Sequence, residues 1–218
     1  MALTFSQMAQ QILAETFRDQ SFLPAVNNAI VSAIKEIEIQ ELFVNQKTVQ
    51  LVLPANTVSM DLPSDFISML MVTLQVNGSG PPGSTGVTIF TEATGFKEIT
   101  FYQLQTYQYQ YNYNTPCNPG NWALFKNQIW VYPQAQQDYQ LNLFYYYRDP
   151  YPVHPDDTSI WMDDFTQDCT RYKAKAIFYL DTLQSPELAM PCQQKYGDAL
   201  TTLKLRNAQR ENINTLSF

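Results

Sequence analysis

The sequence predicts an α+β fold in which helices from the two ends of the chain form one bundle, with an antiparallel β domain inserted between them. Apolar residues recur at helical spacing near both ends, whereas those in the middle alternate with a period of two. With 218 residues, 45% of them hydrophobic, the chain can bury a sizeable core. The predicted parts are N-terminal bundle helices at 1–47, a β-rich domain at 48–150, C-terminal bundle helices at 151–206 and an extended tail at 207–218.

The first part predicts two helices. Thr4 and Gln7 match a capping box, in which each side chain binds the backbone N–H of the other residue, and a stripe of apolar residues follows. Pro24 suits the first turn of a second helix, because its missing N–H would have no partner there. This helix is predicted to run through Phe43 with apolar residues around more than half of its circumference, so we expect it to pack on several sides.

The middle part predicts paired strands. Residues 49–53 and 58–62 alternate on either side of a turn at 54–56, which is typical of a hairpin. Further strands are predicted at 69–76, 122–125, 129–133 and 141–147, with the strands at 122–125 and 129–133 paired through a tight turn. A loop rich in Gly, Pro, Ser and Thr begins at Asn77, and we expect the segment 77–95 to project from the domain.

Residues 101–114 contain no charge and alternate tyrosine with polar residues. A strand with a tyrosine face fits this alternation, and a short helix capped by Thr100 also fits, so both remain open. Tyrosines packing across a sheet are the ordinary explanation. A contact between subunits is the functional one, because each ring offers apolar area and a hydroxyl group. The candidate interface residues are Tyr107, Tyr109, Tyr111 and, further along the chain, Trp161.

The C-terminal part predicts two more helices. Asp163 and Asp164 place negative charge at the start of the first helix, where the helix dipole favours it. This helix is predicted to end near Leu183, and the second to begin near Glu187. After Arg206 the sequence becomes polar, which is typical of a frayed tail or of an arm that orders on a partner.

Composition argues against several classes of function. Thirteen Lys and Arg residues against twenty Asp and Glu give a net charge of −7, so the chain would repel a phosphate backbone and sequence-specific binding of nucleic acid is not expected. No signal peptide or membrane-spanning run is visible, so we expect a soluble protein that does not contact membranes. Cys169 and Cys192 are predicted to be buried helix residues in a reducing compartment.

Residues that could support catalysis are sparse. The single histidine, His154, lies in a proline-bracketed turn without a visible nucleophile partner. The acidic group Asp156, Asp157, Asp163 and Asp164 lacks the spacing of a calcium loop and is explained by capping. Because no glycine-rich phosphate loop is present either, we predict no enzyme activity, no catalytic residue, no cofactor and no metal site.

Several segments resemble one family. The hairpin end LPSDF at 62–66, the strand pair WALF and IWVYP, the segment DTSIW at 157–161, and YKAKA and YGDAL in the C-terminal helices are similar to head-to-tail adaptor (neck or connector) proteins of tailed bacteriophages, of the short-tailed type. The resemblance implies a structural virion protein that forms a ring, of twelve copies, beneath the portal protein. Such a ring extends the DNA channel, retains the packaged genome without binding it sequence-specifically, and docks a tail tube or nozzle protein.

The resemblance also implies a location in the virion neck after assembly in the host cytoplasm. The expected portal contacts lie in the C-terminal arm, at Asn207, Arg210, Asn212, Leu216 and Phe218. The expected tail-facing loop residues are Asn77, Pro81 and Pro82. Two alternatives from other classes are a tail or receptor-binding protein that stacks its tyrosines on host glycans, and a small hydrolase. The long helical ends argue against the first and the lone histidine against the second.

Overall fold

The computed structural model describes residues 2–40, 42–77, 87–91, 95–111 and 117–215. They form five α-helices and eight strands in two compact units. A helical unit comprises Met1–Asn45 and Arg148–Phe218, and a β unit comprises Gln46–Tyr147. The predicted α+β fold is confirmed, with antiparallel sheets between helices contributed by both ends of the chain.

The helical unit is built from four α-helices. They are α1 Phe5–Thr16, α2 Leu23–Glu38, α4 Gln167–Ile177, which continues into a π-helical turn at Phe178–Thr182, and α5 Pro186–Thr215. α4 packs against α1, α2 and α5. Its small buried residues, Cys169, Thr170 and Ala174, allow these neighbours to approach closely.

The N-terminal helices begin where the sequence predicts. Thr4 Oγ1 accepts the backbone N–H of Gln7 at 3.2 Å and Gln7 Oε1 accepts that of Thr4 at 2.9 Å, which confirms the capping box. Pro24 lies in the first turn of α2, also as predicted. α2 ends at Glu38, however, five residues before the predicted end at Phe43. The side chain of Asn45 donates to the carbonyl oxygen of Glu38, so a tertiary contact satisfies this helix end.

Two predictions for the C-terminal helices are corrected. Asp163 and Asp164 lie in the turn before α4, where the carbonyl oxygen of Asp163 accepts the N–H of Gln167 at 2.8 Å. The predicted extended tail at 207–218 is wrong for residues 207–215, because α5 continues to Thr215. Helix propagation adds a hydrogen bond for each residue, so a polar composition does not by itself end a helix without a breaking residue.

The β unit contains two four-stranded sheets and α3, Phe101–Tyr111. The first sheet has the order β1-β8-β3-β4 and is antiparallel; its strands are β1 Gln46–Leu53, β8 Tyr139–Tyr147, β3 Phe66–Asn77 and β4 Val87–Phe90. The second has the order β2-β7-β6-β5, with β5 parallel to β6; its strands are β2 Ser59–Asp61, β7 Gln128–Tyr132, β6 Asn121–Phe125 and β5 Lys97–Glu98. Inward-facing residues of both sheets, including Leu53, Val131 and Leu141, share one core.

The predicted pairing of residues 49–53 with 58–62 is wrong. β1 pairs with β8, whereas β2 pairs with β7 in the other sheet. The turn after Leu53 carries the chain from one sheet to the other, and its Asn56 N–H donates to the carbonyl oxygen of Ala135. Alternation predicts a strand but does not name its partner, because any strand with a matching apolar face can fill that place.

The predicted pair at 122–125 and 129–133 is confirmed as the β6–β7 hairpin, with Lys126 at positive φ in the turn. The segment 77–95 is not a single loop, because Val87–Phe90 forms β4 on the edge of the first sheet. Pro81 and Pro82 lie outside the described residues, while Asn77 ends β3.

The tyrosine-rich segment is a helix over its described part. Thr100 and Gln103 form a reciprocal cap, with Gln103 N–H donating to Thr100 Oγ1 at 3.2 Å and Thr100 N–H donating to Gln103 Oε1 at 3.0 Å. Phe101 stacks on Phe125 with ring centroids 4.0 Å apart, and Leu104 is fully buried. The cap and these two anchors therefore settle the ambiguity in favour of helix.

Candidate assembly surfaces

A buried carboxylate organises the place where the chain returns to the helical unit. Glu38, at the end of α2, is 1% exposed, and its two oxygens accept hydrogen bonds from the Asp149 N–H and the Tyr151 hydroxyl, both at 3.0 Å. The Arg148 Nε atom lies 3.7 Å from the same carboxylate. Glu38 thus fixes residues 148–151 to the end of α2.

Asp149 in turn binds residues 159 and 160 of the same unit. Its Oδ2 atom accepts the Ser159 hydroxyl at 2.7 Å and the Ile160 N–H at 3.0 Å. Burial raises the pKa of Glu38 above its ordinary value of 4.5, against the opposing effect of the Tyr151 and Asp149 hydrogen bonds and of Arg148. The chain therefore keeps a polar group in its interior by satisfying it through contacts far apart in sequence.

A second polar contact joins α1 to α4. Glu15 accepts hydrogen bonds from Arg171 at 3.0 Å and from Lys175 at 2.9 Å. Burial alone would raise the pKa of Glu15, but the Lys175 hydrogen bond and the positive charges of Arg171 and Lys175 outweigh it and lower this pKa. These basic residues are thus engaged inside the helical unit.

The outward face of α1 carries no charge. The α1 ridge, as we name it, consists of Gln7, Gln10, Ala14 and Phe17. They recur at intervals of three or four residues, opposite the buried stripe of the helix, and all four are exposed. Phe17 follows the last turn in the left-handed conformation at φ 54°, and its side chain is 93% exposed.

The outward face of α5 is mostly polar or apolar, with one exposed charge at Asp198 beside Gly197. The α5 ridge consists of Met190, Gln194, Gly197, Thr201 and Leu205. These exposed residues lie opposite the stripe that contains Ala189, Cys192 and Leu203 and packs into the core. At the N-terminal end of this ridge is an open groove, the α5 groove, lined by Glu187, Met190, Pro191, Gln193 and Gln194.

The predicted interface aromatics fall in different environments. Trp161 is fully buried in the core of the helical unit, so its prediction as a contact between subunits is wrong; a large apolar ring at helical spacing serves the core here. Tyr107, Tyr109 and Tyr111 lie on α3, where Tyr107 approaches the Tyr132 ring and Tyr109 is exposed.

The predicted arm residues lie at the far end of α5. Asn207, Arg210 and Asn212 belong to its last turns, whereas Leu216 and Phe218 lie outside the described residues. Leu203, one turn before Asn207, is buried in the core of the helical unit.

The acidic residues near His154 do not converge on a common ligand site. Asp157 Oδ2 accepts the N–H groups of His154 and Val153, both at 2.7 Å, and these bonds lower the pKa of Asp157. His154 is exposed in this turn. Within the ranges that the structure describes, no three His, Cys, Asp or Glu residues are grouped so that they could hold a metal ion. The side chain of Asp157 thus caps a turn.

Comparison with known protein families identifies the chain. A family model described as SU10 adaptor protein matches residues 3–216. The chain belongs to this family. A search of curated proteins gives no match.

As a member of the SU10 adaptor family, the protein has the role of a structural adaptor of a phage, and the predicted resemblance to phage adaptor proteins is confirmed. Its family is a structural one rather than an enzyme family. Among the residues that the structure describes, no helix of this adaptor has both the length and the apolar character needed to cross a bilayer.

Sequence reasoning missed Glu38 and the two ridges of this adaptor. A single glutamate in an amphipathic helix is usually solvated, so no local signal distinguishes Glu38. The α1 ridge was readable in principle, because the spacing of Gln7, Gln10 and Ala14 is helical and avoids charge. Recognising them required knowledge of which side of each helix the core covers.

Proposed function

We propose that this adaptor assembles into a ring of twelve copies in the virion neck, between the portal protein and the tail. The ring extends the DNA channel and retains the packaged genome. The observation that carries the proposal is the family match over residues 3–216, which includes both units of the chain. A ring follows when one surface of a subunit binds a different surface of the next.

The helical unit supplies a candidate portal contact. α5 has 30 residues and, at about 1.5 Å per residue, is about 45 Å long. The buried stripe of α5 runs from Ala189 through Cys192 to Leu203, so removing the helix end after residue 206 leaves these core contacts in place. We assign the portal contact to this end, with Asn207, Arg210 and Asn212 on its last turns, followed by Leu216 and Phe218.

The β unit is proposed to face the tail tube or nozzle, through the loop that contains Asn77, Pro81 and Pro82. The net charge of −7 suits a channel protein that lets DNA slide, because an acidic chain does not attract the phosphate backbone. DNA would therefore pass without sequence-specific contacts.

The portal contact is tested with two truncations. Removing residues 207–218 should abolish attachment to portal-bearing capsids, whereas removing residues 216–218 alone should weaken it less. Both variants keep the buried stripe through Leu203, and circular dichroism checks that the helical unit is folded. Electron microscopy of capsids mixed with each variant measures attachment. Unchanged attachment by the longer truncation would refute this portal contact.

Glycan binding is a second candidate, supported by the exposed tyrosines of α3. Tyr102 and Tyr109 are 81% and 83% exposed and lie two helical turns apart on one face. Aromatic rings of this kind offer apolar area for stacking on a sugar. A glycan array probed with the full chain and with a Tyr102→Ala, Tyr109→Ala double variant tests it. Binding that the double variant loses would support this candidate, and no binding by the full chain would exclude it.

A further inference from the structure

The two sheets of the β unit end in different kinds of edge strand. The second sheet ends in β2 and β5, which are three and two residues long and carry Asp61, Lys97 and Glu98. The first sheet ends in β1 and β4, which are eight and four residues long, and the only charged residue in these two strands is Lys47. Short length and charge protect an exposed edge, because its unpaired N–H and C=O groups otherwise pair with another strand. The second sheet has this protection and the first sheet does not.

One row of paired residues crosses the first sheet from edge to edge. The registers place Val52 of β1 opposite Gln140, Gln140 opposite Gln75, and Gln75 opposite Ile89 of β4. The next row includes Leu141, which is buried in the core, so the row from Val52 to Ile89 lies on the outer face. Val52 and Ile89 are 57% and 51% exposed. The row therefore has amides in its middle and an exposed β-branched side chain at each end.

The strand directions allow the first sheet of one copy to continue into that of another. The sheet is antiparallel throughout and has four strands, so β1 and β4 run in opposite directions. A β1 strand placed beside β4 of another copy is therefore antiparallel to it. Hydrogen-bonded and non-hydrogen-bonded pairs alternate across a row, so in a four-stranded row both end residues direct their N–H and C=O groups the same way, either towards the free edges or away from them. Val52 and Ile89 can thus form a regular ladder pair between two copies.

This pairing favours a second copy of the chain over an unrelated strand. A foreign strand bound to β1 would leave Ile89 exposed, and one bound to β4 would leave Val52 exposed. Pairing β1 of one copy with β4 of the next covers both edges in every copy, and it sets the two β-branched side chains against each other as a cross-strand pair. The same contact repeated around an axis closes a ring.

Charge does not oppose the contact among the described residues. Two copies with a net charge of −7 repel one another and meet at least cost where the edges carry little charge. Lys47, at the start of β1, is paired with Asp65 at 2.7 Å. Asp138 lies beyond the end of β1, where its Oδ1 atom accepts the N–H of Ala55 at 2.8 Å. Glu92, which follows β4 in the sequence, lies outside the described residues.

We propose that β1 of one copy pairs antiparallel with β4 of the next copy, with Val52 opposite Ile89, so that the first sheets of all copies form one continuous sheet around the ring. This inference rests on the proposed ring and specifies its subunit contact. Because β4 has four residues, the strand pair buries less than the roughly 800 Å² per partner of a stable interface. The contact is therefore weak between two free copies and becomes lasting when each copy makes it twice in a closed ring.

Disulfide formation tests the register. The background carries Cys117→Ser, which removes the exposed thiol while Cys169 and Cys192 stay buried. Val52→Cys and Ile89→Cys are then combined in one chain. Within that chain the two positions are three strand spacings apart, about 14 Å, which is too far for a disulfide. Between copies, a directly opposed pair brings the Cα atoms to about 4.5–5.5 Å, which a disulfide can bridge.

The double variant is bound to portal-bearing capsids, oxidised and separated on a non-reducing gel. We expect a series of covalent oligomers that ends at the copy number of the ring, and no cross-link from either single variant. The matched control combines Gln50→Cys with Ile89→Cys, because Gln50 lies on the same face two residues from Val52 and is a diagonal neighbour at about 7–8 Å. Cross-linking of the Val52→Cys chain to itself, equal cross-linking of the control, or no oligomer series overturns the proposal.

Charges placed at the two edges give an independent test. A chain with Val52→Glu and Ile89→Glu sets two carboxylates opposite each other in the proposed contact, whereas Val52→Glu with Ile89→Lys sets a carboxylate opposite an ammonium group. Both variants carry charges at the same exposed positions, so their melting temperatures should be similar. We expect the Glu/Lys chain to form rings on capsids at a concentration about fivefold or more below that of the Glu/Glu chain. Equal assembly of the two variants contradicts the contact.

The outcomes also separate this inference from the proposed function. Rings of the double cysteine variant on capsids, seen by electron microscopy without an oligomer series on the gel, overturn the strand pairing and leave the adaptor ring standing. A natural chain that forms no ring on portal-bearing capsids overturns both.

Discussion

The Glu38→Ala substitution should destabilise the helical unit more than either Glu36→Ala or Glu15→Gln does. The carboxylate is buried and accepts the Asp149 N–H and the Tyr151 hydroxyl, which would both lose their acceptor. Residues 148–151 would then no longer be fixed to the end of α2. The expected result is a large loss in the free energy of unfolding with an unchanged fold.

The size of this loss follows from the two hydrogen-bond donors, the Asp149 N–H and the Tyr151 hydroxyl, that would have no acceptor. A donor left without a partner inside the protein costs about 1–3 kcal/mol, so the two together cost about 2–6 kcal/mol. Arg148 adds little, because its side chain is 57% exposed and reaches water. A loss near the middle of this range lowers the melting temperature by roughly 10 °C.

Urea denaturation followed by circular dichroism measures this loss. The matched control is Glu36→Ala, on the same helix, which removes a carboxylate that is 52% exposed and paired with Lys173. It should cost less than about 1 kcal/mol, as exposed ion pairs do. Equal losses for Glu36→Ala and Glu38→Ala, or a Glu38→Ala loss below about 0.5 kcal/mol, which is the usual scale of a surface exchange, would refute the reasoning.

The pH dependence gives a second check. Because burial raises the pKa of Glu38 above 4.5, the folded chain holds a proton that the unfolded chain has released at pH values between these two pKa values. The contribution of Glu38 is therefore fully present below pH 4.5 and falls as pH rises through the folded pKa. The stability advantage of the natural chain over Glu38→Gln should shrink in that direction, and an advantage that grows with pH would contradict this sign.

Three further predictions concern other parts of the chain. Glu15→Gln should lower the free energy of unfolding by about 1 kcal/mol at neutral pH, as measured by urea denaturation, because Glu15 is paired and only partly exposed. Since the pKa of Glu15 is lowered from 4.5, this loss should disappear as pH falls through the folded pKa. A loss that persists in acid would count against the pairing. Leu141→Ala should cost about 2–5 kcal/mol in tryptophan-monitored unfolding, because Leu141 is fully buried in the β core; a loss under 1 kcal/mol would show that this core is loosely packed. In the folded chain only the thiol of Cys117 should react rapidly with a thiol reagent, whereas all three thiols should react after denaturation. The reason is that burial raises the pKa of Cys169 to about 12 and also raises the pKa of Cys192. Rapid reaction of all three thiols in the folded chain would disprove the burial of Cys169 and Cys192.

The sequence alone determined the features that depend on neighbours along the chain. Thr4 and Gln7 are close enough to cap α1 before any tertiary contact forms, and Pro24 has a fixed φ suited to a first helical turn. The β6–β7 hairpin belongs to the same class, since a tight turn at Lys126 fixes which strands pair. The resemblance to phage adaptor proteins could also be seen in the sequence, because the packing and turn segments that carry it are short.

Only the tertiary structure decided which distant surfaces meet. β1 pairs with β8, some ninety residues further on, and Gln50 donates to Gln140 across that pair at 3.1 Å. The burial of Trp161 and the hydrogen bonds of Glu38 have the same origin, since both depend on segments brought together from the two ends of the chain. Periodicity specifies which face of an element is apolar. Which element packs against that face depends on the shapes of the other elements and on the polar groups that they leave to be paired.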